Sequence, residues 1–530
     1  MRRGRTVPAM TTINNRLTGA LAVTTAALVG IAGTAVPASA AAAAKPGSAG
    51  LGDRLYPLLG NGGYDVTNYY LRLKHPAKNP NQQVNGSVTI SAIAIQSLSR
   101  FNLDFAGDGV GSVYVNGKVA KFARSGEELV ITPASYLPKG KSFRVTVNGF
   151  TATPVVAGKA AAPDGFVATK DGTVLAGQPD TAHNLFPSND HPRDKATYTV
   201  AVTVPSGWKA VASGKHVKTT TAGGYVTSTY REAKPMASEL AQIVAGDFVV
   251  HNRKAVGGVP IRDVFPRRLA SKLTTKAKVE KSQMTWLTKK VGAYPFENYG
   301  SLVIEADLGF ALETQTLSLY DTNVFSLPGY ILNPIMAHEL AHQWFGNSVA
   351  PSVWSDVWLN EGHATWYEML YASDTKTFKK YTGLANREAY FKAVYQLGDR
   401  YRAAFGPVAK PKGSASVWDV FNPNVYDGGA LALYALQQKI GAKKFAKIER
   451  EWVKKYRGKS ASTAQFIALA SKVSGQNLKP FLTRWLYGKK TPAMPGHSNW
   501  KVSKATASAA GVSDLLVFPN RAQLLSGHQH

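Results

Sequence analysis

The chain has 530 residues, too many for one hydrophobic core, so roughly two to four domains are expected. Its 44% hydrophobic and 18% charged residues exclude an intrinsically disordered protein, and the lack of any cysteine excludes disulfides and thiolate-bound metals. A formal charge of +29 reads first as solubility outside the cell and second as weak association with anionic cell-wall polymers or membrane surfaces; the cations are scattered, and no nucleic-acid module is visible.

Residues 1–40 differ in kind from the rest. Arg2, Arg3, Arg5 and Arg16 precede the apolar run "LTGALAVTTAALVGIAGTAV", and "PASA" offers a small-residue site at Ala38-Ser39-Ala40. This pattern reads as a secretory signal peptide cut after Ala40, so the mature chain is expected outside the cell. A membrane anchor is the competing reading, but the run is rich in Ala, Gly and Thr and ends in small residues. No other segment is long and apolar enough to span a bilayer.

Residues 41–50 read as a small-residue linker. From Tyr64 to about Phe248, short alternating runs such as "YYLRLKH", "SVYVNGKVAKFA" and "ATYTVAVTVPSGWKAVASG" are separated by Gly, Pro and Asn-Gly turns. They predict an antiparallel β domain over 51–250. Helical spacing starts at "LASKLTTKAKVEKSQMTWLTKKVG" and dominates most of the remaining chain. Between Tyr426 and Trp485 four apolar-periodic runs each end near a Gly, a usual helix stop. Residues 496–530 are polar, rich in Ala and Ser, and read as a tail without assignable structure.

In "NPIMAHELAHQWFGNS", Asn333 suits an N-cap, Pro334 the first helical position and Gly346 the stop. His338 and His342 then leave the same helix face one turn apart, where two imidazoles can share one zinc. Glu339 points to the side of that face, within reach of a water but not of the metal. Ile335, Leu340, Ala341, Trp344 and Phe345 bury the helix, and ionisable groups on a buried helix are costly unless something binds them. A second buried helix, "SDVWLNEGHATWYEML", carries Glu361 in its middle, separated from His342 by eighteen residues. Two His and one Glu leave a fourth position open, the arrangement of a catalytic zinc site with one Zn2+ per chain. His363 faces away from Glu361 and reads as packing.

H-E-L-A-H, followed after eighteen residues by the Glu of W-L-N-E-G, resembles the zinc aminopeptidase N family, gluzincin metallopeptidases that include the leukotriene hydrolases. "GNGGYDVTNYYLRL" and "LFPSNDHPRDKATYTVAVTVP" are similar to its N-terminal β domain, and "NLKPFLTRWLYGKKTPAMP" to the end of its helical region. The resemblance covers about 52–495 and implies a compact secreted bacterial member. The implied fold is multidomain α+β: a saddle-like antiparallel β domain (51–250), a thermolysin-like zinc peptidase domain (251–435) and a short helical region (436–495).

The resemblance implies further residues. Glu313 in "GFALETQT" aligns with the family Glu that holds a substrate's free amino terminus, although Phe310, Leu312 and Thr314 replace the Gly, Met and Asn around it. Gln178, counted back from Phe186-Pro187, matches a second amine contact. Tyr426, sixty-five residues past Glu361, stands at the position of the family's catalytic Tyr, while Gly428 replaces a nearby Lys. Together these imply a zinc-dependent aminopeptidase acting on peptides with a free N-terminus. His338, His342 and Glu361 would hold the metal, Glu339 would act as general base, and Tyr426 would stabilise the oxyanion. Two alternatives stay open at this level. One is an endopeptidase or related hydrolase with loosened amine anchoring; the other is a non-catalytic, basic cell-surface binding protein on the same scaffold.

Overall fold

In the computed structural model, which describes residues 44–156, 165–306, 308–503 and 517, the alternating runs become strands. The leader with its cleavage site lies outside the described residues. The largest sheet has eight strands in the order Lys215–Ala222, Tyr225–Met236, Ala196–Pro205, Tyr64–Lys74, Val84–Ala94, Ser142–Ala152, Ser112–Val115 and Lys118–Val119. Along Tyr64–Lys74 the buried residues are Tyr64 and Val66, then Tyr69, Leu71 and Leu73. The register irregularity between Val66 and Asn68 shifts the phase of the alternation by one residue. Pairing is antiparallel except where Ala196–Pro205 runs parallel to Tyr64–Lys74.

Two readings at the edges of the β region change. The linker 41–50 contributes Lys45–Pro46, which pairs parallel to Leu98–Asp104, because Lys45 and Gly47 donate to the Ser97 and Arg100 carbonyls. Position 250 falls inside the strand Phe248–Val256. That strand forms a hairpin with Val259–Pro266 and heads a five-stranded mixed sheet continuing through Ser301–Ile304, Ser318–Asp321 and Ala311–Leu312.

The described residues also form twelve α-helices: α1 (Ala270–Ala277), α2 (Glu280–Val291), α3 (Thr322–Ser326), α4 (Gly329–His342), α5 (Trp358–Asp374) and α6 (Phe378–Thr382), then α7 (Arg387–Phe405), α8 (Val417–Val420), α9 (Pro423–Ile440), α10 (Ala442–Lys455), α11 (Thr463–Ser474) and α12 (Lys479–Tyr487). Their ends obey local rules: Asn386, Asn422 and Ser462 cap α7, α9 and α11 with side-chain oxygens, and Gly441, Gly475 and Gly488 close α9, α11 and α12. No helix among the described residues is long and apolar enough to cross a membrane.

The β strands enclose one hydrophobic cluster and the helices another. The helical one holds six fully buried tryptophans, Trp344, Trp354, Trp358, Trp366, Trp452 and Trp485, each withdrawing roughly 150–250 Å² from water. Within residues 496–503, read from sequence as the start of the tail, Trp500 joins this cluster and Val502 packs against it. Trp500 is buried against Tyr395 and Tyr434, and Ser503 N donates to the Gln396 carbonyl, so the aromatic overrides the polar composition around it.

Candidate active site

Helix α4 begins at Gly329, earlier than the sequence suggests, with Pro334 inside it. Asn333 is therefore not its cap; the Ile331 and Leu332 amides bond to the Pro328 carbonyl, and burying these two side chains favours the extra turn. The Asn333 carbonyl accepts from Gln283 Nε2 at 2.7 Å, which ties α4 to α2. Helix α5 starts at Trp358, so Glu361 lies in its first turn rather than its middle.

Two glycines let α5 and α9 touch. A Cβ on Gly362 would lie 2.9 Å from the Gly429 backbone, so any side chain at either position forces the helices apart. That contact brings Tyr426, in the first turn of α9, beside the histidine helix. Its ring lies over His338 with centroids 6.0 Å apart and planes 15° from parallel. At Gly428, where the family carries a Lys, a Cβ would meet Asn424 Oδ1 at 2.1 Å, so a side chain there requires Asn424 to shift.

The two imidazoles are oriented alike. His338 Nδ1 donates to Glu368 Oε2 at 2.8 Å, and His342 Nδ1 donates to the Phe345 carbonyl at 3.1 Å. Each Nε2 is thereby left as the free donor atom, and both lie 3.3 Å from the same oxygen, Glu361 Oε2. The three donor atoms lie within 4.8 Å of one another and are buried. Tyr381 donates to the other Glu368 oxygen at 2.5 Å, so the outer partner is itself held.

The charges at this cluster call for a cation. Burial opposes charge on both imidazoles, yet the carboxylates prevail: Glu361 and Glu368 raise His338 to about 9, and Glu313 and Glu361 raise His342 to about 10. Burial would raise Glu361 as well, but His342 and His338 hold it down to about 2. Burial pushes Glu339 up to about 8 against the pull of both histidines. A site that grips protons this firmly suits a dication, and two Nε2 atoms with one carboxylate are zinc's own donor set. Glu339 keeps one buried oxygen, Oε2, without a hydrogen-bond partner.

Beside the cradle lies Glu313, just past the edge strand Ala311–Leu312 and buried at 3% exposure. Its Oε1 is 3.9 Å from His342 Nδ1 and accepts from Gln178 Nε2 at 2.9 Å. Donor atoms of Glu313, Glu339 and His342 form a second group within 4.8 Å. The end of α4 clamps this segment: Gln343 Nε2 and Asn347 Nδ2 donate to the Glu313 carbonyl at 3.0 and 2.6 Å, and Gln343 Oε1 accepts from Thr316 N at 3.0 Å. Thr316 has φ +70°, costly for a β-branched residue, and its hydroxyl accepts from Gly214 N at 2.8 Å. Of the altered neighbours, Leu312 is core, and the Thr314 hydroxyl reaches Gln242 Oε1 at 2.9 Å.

All seven residues singled out in the sequence, Gln178, Glu313, His338, Glu339, His342, Glu361 and Tyr426, thus form one contiguous cluster. His363 packs, stacked on Phe345 at 4.5 Å. Sequence reasoning missed Glu368, whose signal was its place two turns beyond Glu361 on the same helix face. It also missed Glu239, whose Oε2 lies 3.3 Å from Gln178 Nε2 and which no local pattern marks.

Comparison with known proteins bears on both halves of the chain. A family model described as the peptidase family M1 domain matches residues 278–485, and one described as the peptidase M1 N-terminal domain matches residues 66–240. Glutamyl aminopeptidase of Sus scrofa is 26% identical over 58% of this chain, and aminopeptidase M1-C of Oryza sativa subsp. japonica is 29% identical over 60%. This chain spans only 34% and 37% of those two proteins, about a third of their length. The crystal structure of the M1 zinc metallopeptidase from Deinococcus radiodurans superposes with a TM-score of 0.73 at 27% identity, covering 84% of this chain and 99% of that one. A mutant of that enzyme, 26% identical to this chain, was solved bound to a Tyr-Ser-Ala substrate.

Proposed function

This chain belongs to the peptidase M1 family, and from that premise we propose that it is a zinc-dependent aminopeptidase that removes the first residue of peptides with a free N-terminus. The observation that carries the reading is the short reach between amine anchor and reaction centre. Donor atoms of Glu313, Glu339 and His342 all lie within 4.8 Å of one another. In a peptide, the α-nitrogen and the first carbonyl carbon are separated by two covalent bonds, about 2.5 Å. An ammonium held by Glu313 therefore presents its own peptide carbonyl to Glu339, and the next peptide bond falls out of reach. The peptide-bound structure of the Deinococcus radiodurans relative supports the same substrate class.

Zinc, held by His338, His342 and Glu361, would supply a Lewis acid and lower the pKa of water toward neutrality. Glu339 takes the proton of the attacking water and returns it to the leaving amine. Tyr426 donates a hydrogen bond to the negative charge developing on the carbonyl oxygen. Glu313 and Gln178 hold the α-ammonium through charge-assisted hydrogen bonds of about 1.5–3 kcal/mol each and set the register.

The direct test pairs an aminoacyl p-nitroanilide with its N-acetylated form, with and without chelator. Strong preference for the free amine, lost on chelation and restored by zinc, is expected. Equal cleavage of both forms would sink the exopeptidase reading.

The leader pattern supports export and cleavage after Ala40, which N-terminal sequencing of secreted protein would test: a mature chain beginning at Ala41 is expected. The net charge, and exposed cations on and after α10 (Lys447, Arg450, Lys454, Lys455, Arg457 and Lys459), support weak association with anionic wall or membrane surfaces. Retention on anionic vesicles that fades with added salt is the expected result.

A further inference from the structure

Glu239 touches Gln178, yet the proposed mechanism leaves it without a task. It lies in a one-turn 3-10 helix, Ser238–Leu240, that leads into the strand Ile243–Gly246. That strand pairs antiparallel with Gly172–Ala176, with Val174 opposite Val244, so the chain leaving one passes the chain entering the other. This is why Gln178 and Glu239, sixty-one residues apart, meet. Glu239 is 1% exposed. Its side chain has a single hydrogen-bond partner, the Gln178 amide, and no ion pair reaches it among the described residues.

A buried carboxylate without an ion-pair partner is costly and takes up a proton unless a cation comes within reach. The same amide nitrogen spans both acids: Gln178 Nε2 donates one hydrogen to Glu313 Oε1 at 2.9 Å and the other to Glu239 Oε2 at 3.3 Å. The two carboxylate oxygens are therefore spaced so that one nitrogen bonds both. A primary ammonium has the same reach and three hydrogens, one more than the amide. Rotation of the Gln178 amide would then offer its oxygen to the third. Burial, and next to it the nearness of Glu313 and Asp190, hold Glu239 well above the usual carboxylate range, with the Gln178 amide and the more distant Lys195 ammonium pulling the other way.

We propose that Glu239 is a third substrate-binding residue of the amine pocket, a second carboxylate for the α-ammonium that restores the charge a neutral Gln178 does not provide. The proposal rests on the aminopeptidase reading, and Glu239 acts in substrate binding, not in the chemical step.

The test uses zinc-loaded protein and two variants, Glu239→Gln, which keeps shape and removes charge, and Glu239→Asp, which keeps charge. For a free-amine aminoacyl p-nitroanilide, E239Q should raise KM about tenfold with kcat within about twofold, as expected for loss of one charged contact made equally in ground and transition states. E239D should recover part of that loss. Calorimetric binding of L-leucine should weaken about tenfold in E239Q, while binding of N-acetyl-L-leucine and the zinc content stay as in the wild type. An unchanged KM in E239Q, or an equal loss for free and acetylated substrates, would overturn the role of Glu239 while leaving the exopeptidase reading intact. Should the wild type itself cleave free and acetylated anilides equally, both the amine pocket and Glu239's place in it fall together.

Discussion

The metal cradle and the amine pocket share a wall, with Glu313 Oε1 only 3.9 Å from His342 Nδ1, yet they are assembled in opposite ways. The cradle draws its donors from two successive helices, α4 and α5, held together by the His338–Glu368 hydrogen bond, with Tyr381 steadying Glu368. The pocket draws one residue from each of three distant segments, at 178, 239 and 313, brought together by strand ends. A cradle built within one structural unit leaves little room for exchange, because each donor atom must meet the others. A pocket built from three independent ends can gain or lose a contributor and still present negative charge to an ammonium. Thr314 illustrates this tolerance: it stands where the family has Asn, yet its hydroxyl finds Gln242, three residues past Glu239.

The comparison is most open to breaking at the cradle's edge. Glu339→Gln should cut kcat by about 10²–10⁴-fold while zinc analysis still gives one ion per chain; a variant near full activity would remove Glu339 from the chemistry. At the pocket, Glu313→Gln should raise KM for free-amine anilides by about 10–100-fold and leave acetylated substrates unaffected, by the energy of one charge-assisted contact. If instead zinc were lost from E313Q, the two regions would be one site rather than two. Glu368→Gln should weaken metal affinity by about 10–100-fold in a chelator competition while kcat at saturating zinc stays near the wild type, since it acts only through His338.

The smallest expected effect lies behind the pocket. His183 donates to Asp190, which also accepts from Ser238, the neighbour of Glu239. Burial opposes charge on His183, but Asp190 and Glu127 raise it to about 10 from an ordinary 6.5. Its folded pKa is therefore above the unfolded one. The stabilisation is complete below about pH 6.5 and is lost as pH rises toward 10. The melting temperature should fall across that window, and His183→Gln should flatten the decline by roughly 1–2 °C.

How much was legible in the sequence depended on the distance over which each feature is encoded. The i, i+4 spacing of His338 and His342, the apolar stripe around them and the turn-bounded β runs are short-range patterns, so they can be read directly. The start of α4 was misplaced because Pro334 is a strong local signal for a first turn, while burial of Ile331 and Leu332, a tertiary effect, extended the helix past it. Trp500 likewise drew in residues whose composition alone suggested a tail.

The order of residues along the chain sets the His338, His342 and Glu361 group that could hold a metal, the placing of Glu339 beside it and the helices that carry them, because helical periodicity converts spacing into a common face. Tertiary packing alone settles which second carboxylate shares the Gln178 amide, which glutamate steadies His338, and what a side chain at Gly428 would displace. These depend on where strand ends and helix crossings bring chain segments far apart in sequence. No local pattern encodes such meetings, since they arise from the packing of whole elements against one another.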